Sequence, residues 1–269
     1  MNFDIQLVGD MLKTQTGWYF IDRYLGELVQ TDIEFNRIRN YSAKGRGPHE
    51  LTRPLSITRS QNYLFLIDAQ RKIVRFDESL NPIGEMITEH PPFSIHALND
   101  STLWMGTVHH EYEDVYQVEF LSDTFVRVGV SRKVENMAAS IVFLTSNSAG
   151  NILRYRLFGN HIDLYHFGTL LKSFKNVSQP DFPEVNLESP VPIYKTKTHN
   201  IAFLTESLAC FLSGDIAPRR QPIQCFDFDG NLISRYVIPT PSPFTVYSDS
   251  LLYTYSPETN HIYVYDLGF

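Results

Sequence analysis

Tyr63-Leu64-Phe65-Leu66-Ile67-Asp68, then Lys72-Ile73-Val74-Arg75-Phe76-Asp77, then Ile83-Gly84-Glu85-Met86-Ile87 is the stretch whose reading decides the fold. Each segment is rich in β-branched and aromatic side chains and lacks helical spacing of its apolar residues. Ala69-Gln70-Arg71 separates the first two, and Ser79-Leu80-Asn81-Pro82 turns the chain into the third. Links this short join antiparallel neighbours, so the stretch predicts a meander. Leu55-Ser56-Ile57-Thr58, just upstream, supplies one more strand and makes the unit four-stranded.

The unit recurs. Its third strand closes on an apolar-x-aromatic-Asp pattern at Ile73 to Asp77, Ile223 to Asp227 and Ile262 to Asp266. Looser copies are Leu28 to Asp32, Val115 to Phe120 and Ile162 to His166. The copies end at 32, 77, 120, 166, 227 and 266, in steps of 45, 43, 46, 61 and 39. A period near 40–45 residues with four strands per unit is the mark of a β-propeller, and six copies predict six blades. The expectation is an all-β, six-bladed propeller of four antiparallel strands per blade, one domain over residues 1–269. Trp18-Tyr19-Phe20-Ile21, Leu64 to Ile67 and Leu251-Leu252-Tyr253 are apolar on both faces, as the second strand of a blade sandwiched between two others must be.

Two places depart from the period. The long step predicts an extended crossover between blades 4 and 5, with the excess in Asn176 to Pro192, where four prolines prevent ladder pairing. Closure is the other: Pro243 to Asp266 provides three strands of blade 6, and Val8 to Thr14 is needed for blade 1. Either Asn2 to Leu7 supplies the fourth strand, or the last blade keeps an open edge along His261-Ile262-Tyr263-Val264-Tyr265 through which the chain oligomerises.

Composition sets the function classes. The 269 residues are 43% hydrophobic, 20% charged and 13% aromatic, with 19 Phe and 15 Tyr, as in a soluble globular protein rich in strands. A formal charge of −7 offers no basic field to nucleic acid or an anionic membrane. Two cysteines exclude a disulfide scaffold. Apolar runs such as Ile141-Val142-Phe143-Leu144 fall far short of a transmembrane segment, and the N-terminus as written has no signal-peptide pattern.

Gly45-Arg46-Gly47-Pro48-His49-Glu50-Leu51, between blades 1 and 2, resembles the G-x-G-P-x-E loop of bacterial six-bladed propellers of the TolB-like and NHL-related type. Phe211-Leu212-Ser213-Gly214-Asp215 followed by Ile223-Gln224-Cys225-Phe226-Asp227-Phe228-Asp229-Gly230-Asn231 resembles the blade-5 hairpin of the same group. The resemblance spans nearly the whole chain. It implies a periplasmic or cell-envelope protein if the natural start lies upstream of Met1.

The Gly-rich loop has two readings. Its amides, with Arg46, could cradle an anion, but no Lys-Ser/Thr follows and no helix opens. The favoured reading is a tight crossover with left-handed glycines, stiffened by Pro48 and capped by Glu50. His109-His110-Glu111-Tyr112-Glu113-Asp114 is the densest group of candidate metal ligands, yet adjacent residues of an extended chain face opposite ways. A solvated loop joining the second and third strands of blade 3 is expected there, and no metal. A lactonase-like or lyase-like enzyme would gather oxygen ligands at the axial channel. Glu50, Asn99, Asp215 and Asn260 are the candidates, with no local motif uniting them. Asp68 and Asp77 read as turn residues, and no Gly-x-Ser-x-Gly elbow is present. The register that sets Ser213 opposite Pro222 also sets Cys210 opposite Cys225; two buried thiols are expected there in preference to a bridge.

One face of a propeller collects the inter-blade crossovers and the loops joining second to third strands. Arg46, Glu50, Arg71, His109, His161, Asp215, Arg219 and Arg220 are the ligand-binding candidates on that face, with Tyr24, Phe158 and Glu258 beside them. The expected function is a non-catalytic binding or scaffolding module without cofactor, for a protein, peptide or glycan, held on this face or at the channel mouth.

Overall fold

The structure, a computed structural model, describes residues 5–109, 112–133, 142–147, 149–156, 161–175, 185–186, 193–194, 201–212, 221–239, 242 and 244–268. It is a six-bladed β-propeller. Blade 1 is β1 (Val8–Lys13), β2 (Trp18–Asp22), β3 (Glu27–Thr31) and β4 (Arg37–Tyr41). Blade 2 is β5 (Pro54–Arg59), β6 (Leu64–Asp68), β7 (Lys72–Phe76) and β8 (Pro82–Ile87). Blade 3 is β9 (Pro92–Ala97), β10 (Thr102–His109), β11 (Tyr112–Glu119) and β12 (Thr124–Lys133). Blade 4 is β13 (Val142–Ser146), β14 (Asn151–Arg156), β15 (His161–His166) and β16 (Thr169–Lys175). A short pair, β17 (Val185–Asn186) with β18 (Ile193–Tyr194), interrupts the long crossover to blade 5. The rest of the predicted Asn176 to Pro192 insertion lies outside the described residues. Blade 5 is β19 (Ile201–Leu204), β20 (Leu208–Leu212), β21 (Gln221–Asp227) and β22 (Leu232–Ile238). Blade 6 is β23 (Phe244–Ser248), β24 (Leu251–Ser256) and β25 (His261–Asp266). Every blade is an antiparallel meander in chain order.

The second strands are buried on both faces, as all five residues of β2 and of β6 show. The alternation then sends successive side chains into different cores. Leu64 and Leu66 of β6 pack with Tyr19, Ile21 and Leu28 of blade 1. Phe65 and Ile67 pack with Leu103, Met105 and Val118 of blade 3. Trp104 and Val115 meet Ile152 and Tyr165 between blades 3 and 4. Leu153 and Leu164 meet Ala209 and Phe211 between blades 4 and 5. Leu212 and Ile223 meet Leu252 between blades 5 and 6. The outer strands are wetted on their far side: β4 is exposed along four of its five residues, and apolar side chains such as Ile87, Leu171 and Val237 stand exposed on β8, β16 and β22.

Asn2 to Asp4 of the piece considered for a closing strand lie outside the described residues; among the described residues closure is by packing. The inner strands form a ring in which β1 touches both β5 and β23. Trp18 meets Tyr253 edge-on at 4.9 Å, and Tyr255 is buried with Ile5, Val8, Met11 and Phe20. Ile5 to Leu7 make no strand with blade 6. Gln6 N–H donates to Asp22 Oδ2 at 2.9 Å and Arg23 N–H to Leu7 O at 2.8 Å. Thr52 and Arg53 make the matching bonds to Asp68 Oδ2 and Ala69 in blade 2. Ile5-Gln6-Leu7 therefore repeats the end of a crossover. Among the described residues β25 has no neighbour on its outer side.

Local chemistry repeats with the blades. Asp22 and Asp68, fully buried at the ends of β2 and β6, each accept backbone N–H bonds from the turn ahead and from the incoming crossover. Asp32, Asp77 and Asp227 close the third strands, each binding the Asn four residues on through both oxygens. Those bonds, from the Asn amide first, hold all three carboxyls below the ordinary range.

The predicted pairing of Cys210 with Cys225 is present, but the free thiols expected there are not. The two residues are Cα partners of β20 and β21, 4.0 Å apart, and are joined as a disulfide.

Trp18→Ala should cost about 3–5 kcal/mol, because the closure interface loses its largest side chain. Denaturant unfolding followed by fluorescence and far-ultraviolet circular dichroism should keep a single transition. Two separated transitions would show that blade 6 opens independently of the ring.

Candidate functional site

On the crossover face, β4 leads into the Gly-rich loop, Tyr41 to Arg53. Gly45 has φ 150°, and a Cβ there would lie 2.0 Å from Glu50 Oε2, so only glycine fits. Glu50 caps the loop as predicted, Oε2 accepting Gly47 N–H at 2.8 Å. The second left-handed residue is His49 (φ 62°); Gly47 has no positive φ, which corrects the expectation of two left-handed glycines.

Loop amides are engaged internally. Gly45 N–H donates to Leu51 O, Glu50 N–H to Gly47 O, and His49 N–H to Glu85 Oε2 at 2.5 Å. Beneath the loop, buried Lys72 donates to the carbonyls of Gly47 (3.0 Å) and Glu50 (2.5 Å). A loop that turns carbonyls toward a buried cation is no anion cradle, and the crossover reading holds.

Around it, blades 1 and 2 present exposed side chains. Arg46 and Arg53 are exposed. Tyr24, in the β2–β3 turn, is 72% exposed. Arg71 sits left-handed (φ 62°) in the β6–β7 turn, and Nη1 donates to Glu89 O at 3.3 Å. Arg23 lays its stem across Gly9 and places its guanidinium 5.8 Å from the Phe244 ring of blade 6.

Other predicted residues fall elsewhere. His109 ends β10 opposite Tyr112, and His161 opens β15 opposite Lys175. Tyr112, Glu113 and Asp114 belong to β11, with Asp114 buried, so the loop expected over 109–114 is a hairpin with long ladders. Asp215, Arg219, Arg220 and Phe158 lie outside the described residues.

The axis holds polar side chains that bridge neighbouring inner strands. Asp10 Oδ2 accepts Ile57 N–H at 3.0 Å, and Thr58 Oγ1 accepts Ala97 N–H at 3.1 Å. Ser94 Oγ donates to Val142 O at 3.0 Å, and His96 Nδ1 lies 3.0 Å from Ser146 Oγ. Burial pushes the Asp10 carboxyl above its usual range, against the backbone N–H bonds it accepts, and pushes His96 down to about 4. Of the oxygens considered for a channel cation, the three on described residues, Glu50, Asn99 and Asn260, do not gather. Asn99 accepts Ser101 N–H and Thr102 N–H in the β9–β10 turn, on the face opposite Glu50, and Asn260 accepts the Tyr255 hydroxyl.

Sequence reasoning missed a cleft on that opposite face. It measures about 490 Å³ and is lined by Lys13, Gln15, Arg59, Gln61 and Asp249, with Lys13 paired to Asp249 across the blade 1–6 junction. The short polar first turns, Thr14-Gln15-Thr16 and Ser60-Gln61, were its only trace in the sequence.

This geometry defines the class, a β-propeller. A member of the DUF4221 family from Bacteroides vulgatus is similar to this chain at TM-score 0.70 and 8% identity, over 99% of this chain and 95% of the other. Virginiamycin B lyase from Staphylococcus aureus is similar at TM-score 0.61 and 11% identity, over 99% and 86%. BamB from Moraxella catarrhalis follows at TM-score 0.53 and 12%, over 96% and 71%. At such identities the likeness is one of fold. No family model and no curated protein matches the chain.

His96 gives a pH test with a definite sign. Its folded value, about 4, lies below the ordinary 6.5, so the unfolded chain binds a proton that the fold excludes. Stability should be flat above pH 6.5 and fall between 6.5 and about 4. The half-buried ring makes the loss on the order of 2 kcal/mol. Asp10, raised, acts in the opposite direction at the acid end. The difference in unfolding free energy between wild type and His96→Asn, measured across that window, isolates the His96 contribution. A pH-independent difference would remove it.

Proposed function

We propose that the chain is a non-catalytic binding propeller of the TolB-like or NHL-related kind that takes a protein or peptide segment on its crossover face. One observation carries this: Tyr24 stands 72% exposed on that face, with exposed Arg23, Arg46 and Arg53 on the same two blades. Tyrosine and arginine supply most of the energy at protein interfaces, because each offers a broad contact area and a polar tip. A glycan is the alternative ligand of the same face. At the axis, by contrast, the described polar groups already bind neighbouring strands. Photo-crosslinking from a benzophenone amino acid at Tyr24, in the native host, should yield a protein adduct that the same probe at Gln61, on the opposite face, does not. Adducts from Gln61 alone, or from neither site, would overturn the reading.

The outer edge of β25 supports a second contact, between copies of this chain. The edge is unpaired among the described residues, and Val264 on it is 52% exposed. Sedimentation velocity should show concentration-dependent dimers that Val264→Lys abolishes. A monomer at every concentration would exclude them.

A further inference from the structure

Five basic side chains, Arg23, Lys44, Arg46, Arg53 and Arg71, project from one quadrant of the crossover face. They come from the β2–β3 turn, the Gly-rich loop and the β6–β7 turn, which the fold ties together. Lys44 arches over the first turn, its Cε 3.7 Å from where a Cβ of Gly26 would lie. Thr52 Oγ1 donates to Gly45 O at 2.8 Å, and Ala69 N–H donates to Arg53 O at 3.0 Å. Thr88 N–H donates to Arg71 O at 2.7 Å.

None of the five makes an ion pair among the described residues. Glu89, beside Arg71, is exposed and faces His90, but the carboxylates beneath the other loops are turned inward. Asp22 and Asp68 are fully buried and accept backbone N–H bonds from their turns. Asp10 bonds Ile57, Glu50 bonds Gly47, and Glu85 lies against buried Lys72 and His49 N–H. Arg71 Nη1 donates to Glu89 O, and Arg23 feels the charge of Asp10; among the described residues, the guanidinium groups of Arg46 and Arg53 have no acceptor. This happens on a chain with 30 acidic and 23 basic residues, whose net charge of −7 works against such a cluster arising as an average of the surface.

From these positions we infer that the blade 1–2 quadrant docks a carboxylate-rich peptide segment of a protein partner. The inference rests on the binding reading above and adds the chemistry of the occupant. Planar guanidinium groups pair carboxylates bidentately, and Tyr24 supplies an apolar surface beside them. A nucleic acid would meet the repulsion of the acidic remainder of the molecule at long range, whereas a short acidic segment meets only this quadrant.

The probe is a fluorescein-labelled poly-glutamate peptide, followed by anisotropy at low salt against the full chain. Binding is expected, weakening as salt is raised. Arg46→Glu with Arg53→Glu should weaken it about tenfold, since two exposed contacts are replaced by repulsion. Both residues are exposed, so the thermal midpoint should stay unchanged and folding is controlled for. Arg39→Glu with Arg127→Glu, exposed on the outer strands β4 and β12, should leave binding intact. No binding, loss only in the Arg39 and Arg127 variant, or equal binding of a labelled single-stranded DNA would each overturn this inference. An adduct at Tyr24 alongside any of those results would leave the binding reading standing and remove only the acidic partner.

Discussion

Each second strand must feed two cores at once, and the rest of the molecule depends on that constraint. β6 shows it most plainly: alternate residues belong to the packing against blade 1 and against blade 3. A blade removed from the ring would expose both its faces to water, and a lone four-stranded sheet has nowhere else to put them. The six interfaces therefore form and fail together. This also explains how the ring closes at blade 6 among the described strands without a strand shared between the ends: Trp18, Phe20 and Tyr255 provide at that junction the same kind of contact found at the other five.

Polar groups divide into those that hold the blades and those that the fold leaves outside. Asp22 and Asp68 fasten each crossover to the turn beside it, so the loops that carry Arg23, Arg46 and Arg53 are anchored at their bases. Lys72 does the same from below by binding the carbonyls of the Gly-rich loop. Arg154 and Asp163 form a buried pair across β14 and β15, further fixed by the Ser173 hydroxyl. Pairs of this kind contribute more to defining one arrangement of strands than to net stability. With these groups engaged within the fold, Tyr24, Arg46 and Arg53 of blades 1 and 2 stay exposed above them.

Much of the architecture was open to reading because its causes are local. The spacing of strand ends gave the blade count, and the two-sided apolar runs at Trp18 and Leu64 gave the second strands, since burial on both faces writes itself directly into composition. Asp68 and Asp77 were recognisable as turn residues for the same reason, their partners being two to four residues away or in the adjoining crossover. The segment around His109 misled because its charged residues suggested solvent. Ladder pairing with β12 carries the strand through them, Glu113 opposite Arg132.

The amino-acid sequence by itself determined the repeat, the strand order within each blade, the register that faces Cys210 with Cys225, and the capping of the Gly-rich loop by Glu50. These follow from neighbours in the chain. Tertiary structure alone decided that the two sulfurs are bonded, that Lys72 lies beneath the loop, that His96 and Asp10 serve the junctions between inner strands, and that five basic residues share one quadrant. Each of those depends on partners from another strand, and often from another blade. The distance between them in the chain carries no trace of their distance in space.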